Sequence, residues 1–255
     1  MDREQLKALW LREQSIAHVH GWDFSHLKGR YTEEDDLPWD YRELVLSQLQ
    51  PSLRLLDMET GGGEFLLSLG HPHQNTAATE GYAPNAALCR ERLLPLGIDF
   101  REAQGEGALP FEAASFDLVI NRHGAYSASE VLRVLKPKGL FITQQVGAEN
   151  DRELVEFLLP GMVPLPFPQQ YLETKKKELA ALGFEILAGE EAFRPIAFYD
   201  VGALVWFARI IKWEFPGFSV ETALDRLYLA QQVIEREGKI AGRIHRFYIA
   251  ARKRE

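Results

Sequence analysis

A chain of 255 residues is long enough for one large α/β domain with additions, or for a domain with a small lid, and its 46% hydrophobic content is ordinary for a globular protein. A formal charge of −8 disfavours a nucleic-acid partner, which needs a basic face, and a single cysteine excludes an internal disulfide and fits a reducing compartment. The charged start Met1–Gln5 lacks a signal-peptide core, and the most apolar stretch, 201–211, is broken by Arg209 and too short to span a bilayer, so a soluble cytoplasmic protein is expected.

Leu6, Leu9, Trp10 and Ile16 recur at roughly helical spacing and predict an amphipathic helix. A polar segment, 18–36, leads to a second helix around Trp39 to Gln48, closed by Pro51. The two helices are either a packing pair or a cap over a ligand crevice, with Tyr31 and Trp39 as candidate lining residues. His18, His20, His26, His71 and His73 match no standard metal cage and lack a cysteine or carboxylate cluster, so solvated loop histidines and no metal are expected.

Alternation of strands and helices begins at Ser52. A strand over 53–57 ends at Asp57, the turn Gly61-Gly62-Gly63 follows, and a helix runs from Gly63 to about Leu69. Glycines there reach φ > 0 and let a ligand approach the main chain. Strand, glycine turn and helix form the opening of a nucleotide-type cofactor site in an open α/β sheet. The next strand, 76–80, ends at Glu80, so both acids face the crevice, and Glu80 is placed to accept from ribose hydroxyls. A dinucleotide fingerprint needs a third glycine where Leu66 stands. That argues against a pyrophosphate, and Asp57 suits a ligand carrying an ammonium.

A helix with Pro84 in its first turn buries Leu88, Cys89 and Leu93, which makes Cys89 a core residue. Strands over 98–103 and 116–120 follow, then a helix opened by the capping box Ser127-x-x-Glu130 and stopped by Pro137 and Gly139. A strand over 140–146, a helix capped by Asn150, a proline-rich loop, a helix over 170–182 and a strand over 184–189 continue the alternation, which implies a largely parallel sheet covered on both faces. The segment 190–238 reads as an insertion: an apolar helix from Asp200 to Lys212, an aromatic turn, and an amphipathic helix capped near Ser219. Residues 243–251 read as a final strand.

Asp57-x-Glu59-x-Gly61-x-Gly63, followed by Glu80, resembles motifs I and II of the class I S-adenosylmethionine (SAM) dependent methyltransferases. The run Ala108 to Val119 and the run Glu130 to Ile142 are similar to two later segments of that family, in the expected order over roughly residues 50–147. The nearest resemblance is to the ubiquinone-biosynthesis-type enzymes. Two positions depart from the pattern: Glu59 replaces the first glycine, and Gln104-Gly105-Glu106 stands where an acid and a small residue usually meet adenine.

The resemblance implies a doubly wound, seven-stranded, mostly parallel Rossmann-like sheet. An N-terminal helical cap (1–50) would precede a SAM-binding domain (51–255), with 190–238 a helical lid inserted before the antiparallel last strand. Gly61 to Gly63 would cradle the methionine end of SAM, Asp57 or Glu59 its ammonium, and Glu80 the ribose. Gly81 would allow close approach, Tyr82 would stack on adenine, and Gln104, Gly105 and Glu106 would edge it. The loop Asn121 to Tyr126 would face the reacting methyl group, with Asn121 in the cofactor shell. His123, the histidine of that loop and so of the residue type suited to proton transfer near neutrality, is either a base or a structural histidine. Trp206, Phe207, Trp213, Phe215 and Phe218 either line an acceptor pocket or pack the insertion. The expected activity is methyl transfer from SAM to an O- or C-nucleophile of a small-molecule acceptor. A non-catalytic SAM-binding protein and a nicotinamide-dependent oxidoreductase remain as alternatives.

Overall fold

The computed structural model describes every residue except 19–22, 34–35 and 162, so His20 lies outside the described residues. The first helix, α1 (Arg3–Ile16), is opened by a capping box in which Asp2 accepts from the Gln5 N–H. A two-residue strand, β1 (Tyr31–Thr32), and a short helix, α2 (Tyr41–Leu46), lead into the alternating part. There β2 (Leu55–Met58), α3 (Glu64–Ser68), β3 (Thr76–Glu80), α4 (Ala83–Arg92), β4 (Asp99–Glu102), β5 (Phe116–Arg122), α5 (Ala128–Val134) and β6 (Leu135–Val146) follow in turn. The second half holds α6 (Arg152–Leu158), α7 (Leu172–Ala181), β7 (Phe184–Phe198), α8 (Val201–Ile210), α9 (Leu224–Glu237) and β8 (Ile240–Lys253).

All strands among the described residues join one sheet in the order β1-β7-β8-β6-β5-β2-β3-β4. The pairs among β4, β3, β2, β5 and β6 are parallel; β8 is antiparallel to both β6 and β7. Every residue of β2 and β3 is buried, as expected of strands covered on both faces. From β2 the chain winds outward to β3 and β4, then returns to place β5 on the other side. That reversal opens a crevice at the carboxyl ends of β2, β3 and β5.

Among the described residues the sheet has eight strands where seven were expected. The extra one is β1, whose Tyr31 and Thr32 pair antiparallel with Phe198 and Ala197 at the outer edge of β7. The strand expected to stop at 189 continues to Phe198, paired with β8 along its length, so 190–198 belong to the sheet and the helical insertion occupies Val201–Glu237. The α6 N-cap is Asp151, at φ 56°, and not Asn150. The Asn150 side chain is engaged elsewhere, accepting from the His245 N–H and donating to Asp151 Oδ2.

Three apolar clusters hold the fold together. Two cover the faces of the sheet. The third joins α1, α6, α8 and α9 to the ends of β7 and β8. In it Trp10, 1% exposed, lies 5.1 Å from the Tyr228 ring. Trp206, Phe207, Phe215 and Phe218 are buried in the same cluster, while Trp213 is 43% exposed. Four of those five aromatics therefore pack the insertion. Arg30 pairs with Asp200 (2.6 Å) and Glu13 (3.0 Å), tying the N-terminal segment to the cap of α8. Among the described residues no helix is long and apolar enough to cross a membrane.

Candidate active site

The crevice is built from the turn after β2 outward. Asp57 is 3% exposed, and its Oδ2 accepts from the Thr60 hydroxyl at 2.6 Å. Burial pushes its carboxyl up to about 7, against the hydroxyl bond and the Arg122 charge, which pull it down. Glu80, 2% exposed, turns back over the glycine turn: Oε2 accepts from the Gly61 N–H at 2.8 Å and Oε1 from the Tyr82 N–H at 2.7 Å. The glycine turn itself needs left-handed backbone at Gly61 (φ 66°) and Gly63 (φ 83°).

Glu59 adopts φ 55°, a conformation that costs a side-chain-bearing residue about 1–2 kcal/mol. Its side chain enters the crevice, with Oε1 buried and without a hydrogen-bond partner among the described residues. Burial and the neighbouring Glu80 charge raise its carboxyl to about 7, opposed by the Gly105 and Gly81 N–H groups. Space for it comes from two glycines far along the chain. A Cβ on Gly124 would stand 2.4 Å from Glu59 Cβ, and one on Gly105 would meet Glu59 Cγ at 3.1 Å and the Ala125 carbonyl at 1.9 Å. The small residue missing at position 59 is thus offset by small residues at 105 and 124.

The structure brings Asp57, Glu59, Gly61, Gly63, Glu80, Gly81 and Gly105 together around the crevice. Tyr82 stands at its rim, 56% exposed. Gln104 is exposed but packs closely on Gly81, where a Cβ would lie 2.9 Å from Gln104 Cα. Glu106 is exposed and makes no hydrogen bond among the described residues. Asn121, fully buried, is a tie between strands: Nδ2 donates to the Met58 carbonyl (3.0 Å), and Oδ1 accepts from Gln145 (2.6 Å) and Thr143 (3.2 Å).

His123 also has left-handed backbone, at φ 59°, and its N–H donates to the Gln144 carbonyl at 2.8 Å. The Gln144 amide fixes the ring's proton. The Trp39 indole N–H, which can only donate, lies 2.7 Å from Gln144 Oε1, so the amide nitrogen faces His123 Nε2 at 2.9 Å. An amide N–H donating there makes Nε2 the acceptor and leaves the neutral ring's proton on Nδ1. Next to this network a cavity of about 500 Å³ is lined by Trp39, Asp40, Tyr41, Phe65, Arg122 and Gln144 among others. The Arg122 guanidinium lies over the Phe65 ring, 5.2 Å from its centroid.

Sequence reasoning did not single out Arg122, Gln144, Gln145 or Thr60. The signal available was the pair Gln144-Gln145, two buried-strand positions carrying amides just before Val146.

A family model described as a methyltransferase domain matches residues 56–143. No curated protein matches the chain. Among solved structures it is similar to a candidate methyltransferase from Bacillus halodurans C-125, with 17% identity, TM-score 0.59, and 85% of this chain and 99% of that one covered. A functionally unknown protein from Deinococcus radiodurans R1 aligns with 19% identity and TM-score 0.59 over 88% of this chain and 90% of that one. The YcgJ protein from Bacillus subtilis aligns with 19% identity and TM-score 0.55 over 84% and 98%. At these identities the structural likeness establishes the fold; the family model adds the domain type.

Proposed function

We propose that this chain, whose residues 56–143 match a methyltransferase-domain model, is a class I SAM-dependent methyltransferase with SAM as its cofactor, and that it methylates an O- or C-nucleophile of a small molecule. One observation carries the reading: Asp57, Glu59 and Glu80 converge on the crevice, and no ion pair among the described residues involves any of them. An unpaired buried carboxylate cluster calls for a cationic ligand. SAM, with its sulfonium, ammonium and ribose hydroxyls, fits that set of acceptors, and the unpartnered Glu59 Oε1 is the atom most in need of it. Leu66, 2% exposed in the apolar core, fills the place a dinucleotide would need as glycine.

When bound, SAM supplies an electrophilic methyl group on sulfur. In this proposal Asp57 and Glu59 hold the cationic end, Glu80 takes the ribose hydroxyls, and the backbone of Gly61 to Gly63, with Gly81, closes on the ligand. Tyr82, Gln104, Gly105 and Glu106 form the adenine side, and Asn121 keeps β2, β5 and β6 in register beneath. His123 is assigned to orienting the acceptor, because its Nε2 is engaged by Gln144. Alignment of the two reactants then supplies most of the acceleration, on the order of 7–11 kcal/mol. Residues 1–50 serve as a cap and the helical part of 190–238 as a lid on the domain spanning 51–255. That division is supported by the Trp39–Gln144 bond and by the packing of α1 on α8. The −8 charge favours a small acceptor over nucleic acid, and the single cysteine fits a cytoplasmic setting.

The test is calorimetric titration with SAM, S-adenosylhomocysteine and NAD⁺. Micromolar-range binding of the first two, lost in a folded Glu80→Gln protein, is expected; binding of NAD⁺ alone would overturn the reading. With SAM binding established, His123→Ala is expected to keep it and to slow transfer less than about tenfold, where loss of a general base costs about 100-fold or more.

A further inference from the structure

We propose that Arg122 anchors an anionic group, a carboxylate or a phosphate, on the methyl acceptor; this deepens the small-molecule methyltransferase reading and rests on it. Arg122 is the last residue of β5, next in the chain to His123, and its guanidinium borders the cavity of about 500 Å³ beside the crevice. That volume is in the range of small-ligand sites.

Of the other charged groups of the wall, Arg42 is paired, and Asp40 keeps its charge at the start of α2. Arg42 donates to the Ser68 carbonyl at 3.1 Å and pairs with Glu43 at 3.3 Å. Asp40 accepts from the Glu43 N–H at 3.1 Å as the N-cap of α2. Arg122 pairs with no carboxylate among the described residues. Asp57, whose carboxyl feels the Arg122 charge, lies beyond ion-pair distance and is bonded to Thr60.

Stacking on Phe65 holds the guanidinium in place while leaving its N–H groups available. A planar, pre-placed guanidinium without a carboxylate matches the two oxygens of a carboxylate or phosphate. Trp39 and Phe65 give the same cavity apolar walls, and Gln144 gives it an amide. The occupant that fits is a small molecule with a flat apolar body and one anionic arm.

An anion at Arg122 has two possible sources, the acceptor or the α-carboxylate of the cofactor itself, and the experiment separates them. S-adenosylhomocysteine and 5′-methylthioadenosine, which lacks the amino-acid end, are titrated into wild type and Arg122→Gln. Benzoate, phenyl phosphate and the neutral benzyl alcohol are then titrated with S-adenosylhomocysteine saturating. The expected result is that wild type binds one of the anions at least about tenfold more tightly than the alcohol, that Arg122→Gln erases the preference, and that S-adenosylhomocysteine affinity changes less than about twofold. Three results overturn the proposal: no preference for anions, a preference that survives the substitution, or a loss confined to S-adenosylhomocysteine with methylthioadenosine unchanged. The last would give Arg122 to the cofactor. If neither adenosyl compound binds, the methyltransferase reading fails separately, and the anion comparison on the free protein still decides the role of Arg122.

Discussion

Glu59 holds a backbone conformation that glycine takes without strain, and it buries a carboxylate oxygen that nothing among the described residues satisfies. Glu59→Gly is therefore expected to stabilise the ligand-free protein by about 1 kcal/mol, the strain relief less the extra chain entropy of glycine. The same substitution is expected to weaken SAM binding more than binding of the uncharged-sulfur product. Unfolding in denaturant and calorimetry check the two halves. Asp57 and Glu59 also set a pH dependence. Their ordinary values of 3.8 and 4.5 rise to about 7 in the fold. From about pH 4 to 7 the unfolded chain has released protons that the folded one keeps, so these groups make the ligand-free protein less stable as pH rises. A cationic ligand favours their ionised forms. SAM affinity is accordingly expected to increase from pH 6 to 8, with proton release visible as a buffer-dependent binding enthalpy; an affinity flat over that range would remove both acids from the cofactor contact.

At the scale of elements, Tyr41 shows how the crevice is braced. Its buried hydroxyl lies 3.0 Å from the carbonyls of both Asn121 and Ile142, pinning α2 across β5 and β6. Tyr41→Phe is expected to cost about 1 kcal/mol in an unfolding experiment, the usual net contribution of one hydrogen bond. The parallel core was legible because short strand-like runs, several ending in an acid or amide, alternate with capped helices and turn residues. The full length of β7 was not, since Glu190, Glu191, Arg194 and Pro195 punctuate it, and its pairing with β8, joined at its end by β1, keeps it extended. Nor was β1, since two residues carry no periodicity. In the site, Glu59 was legible as a departure from a glycine pattern. Its accommodation by Gly105 and Gly124 is a contact between distant loops, and Arg122 acquires meaning only once Phe65 and the cavity lie beside it.

At the scale of the whole molecule, the N-terminal helix is a structural partner of the insertion. Trp10 is buried against α9, the Tyr228 hydroxyl donates to the Arg3 carbonyl at 2.8 Å, and Gln14 accepts from the Val220 N–H at 2.7 Å. Trp10→Ala is expected to cost about 3–5 kcal/mol of stability, measurable by denaturant unfolding.

The placement of α1 also bears on how the chain is made. Its partners include residues of 201–230, so α1 leaves the ribosome well before the segment that covers it. At about 5–20 residues per second, α1 waits on the order of 10–40 seconds for the surface that will cover Trp10. During that interval its apolar stripe is exposed on a nascent chain, a natural point of attachment for a chaperone. Placing α1 after β8 would shorten the wait to the time needed to translate β8, a linker and one helix.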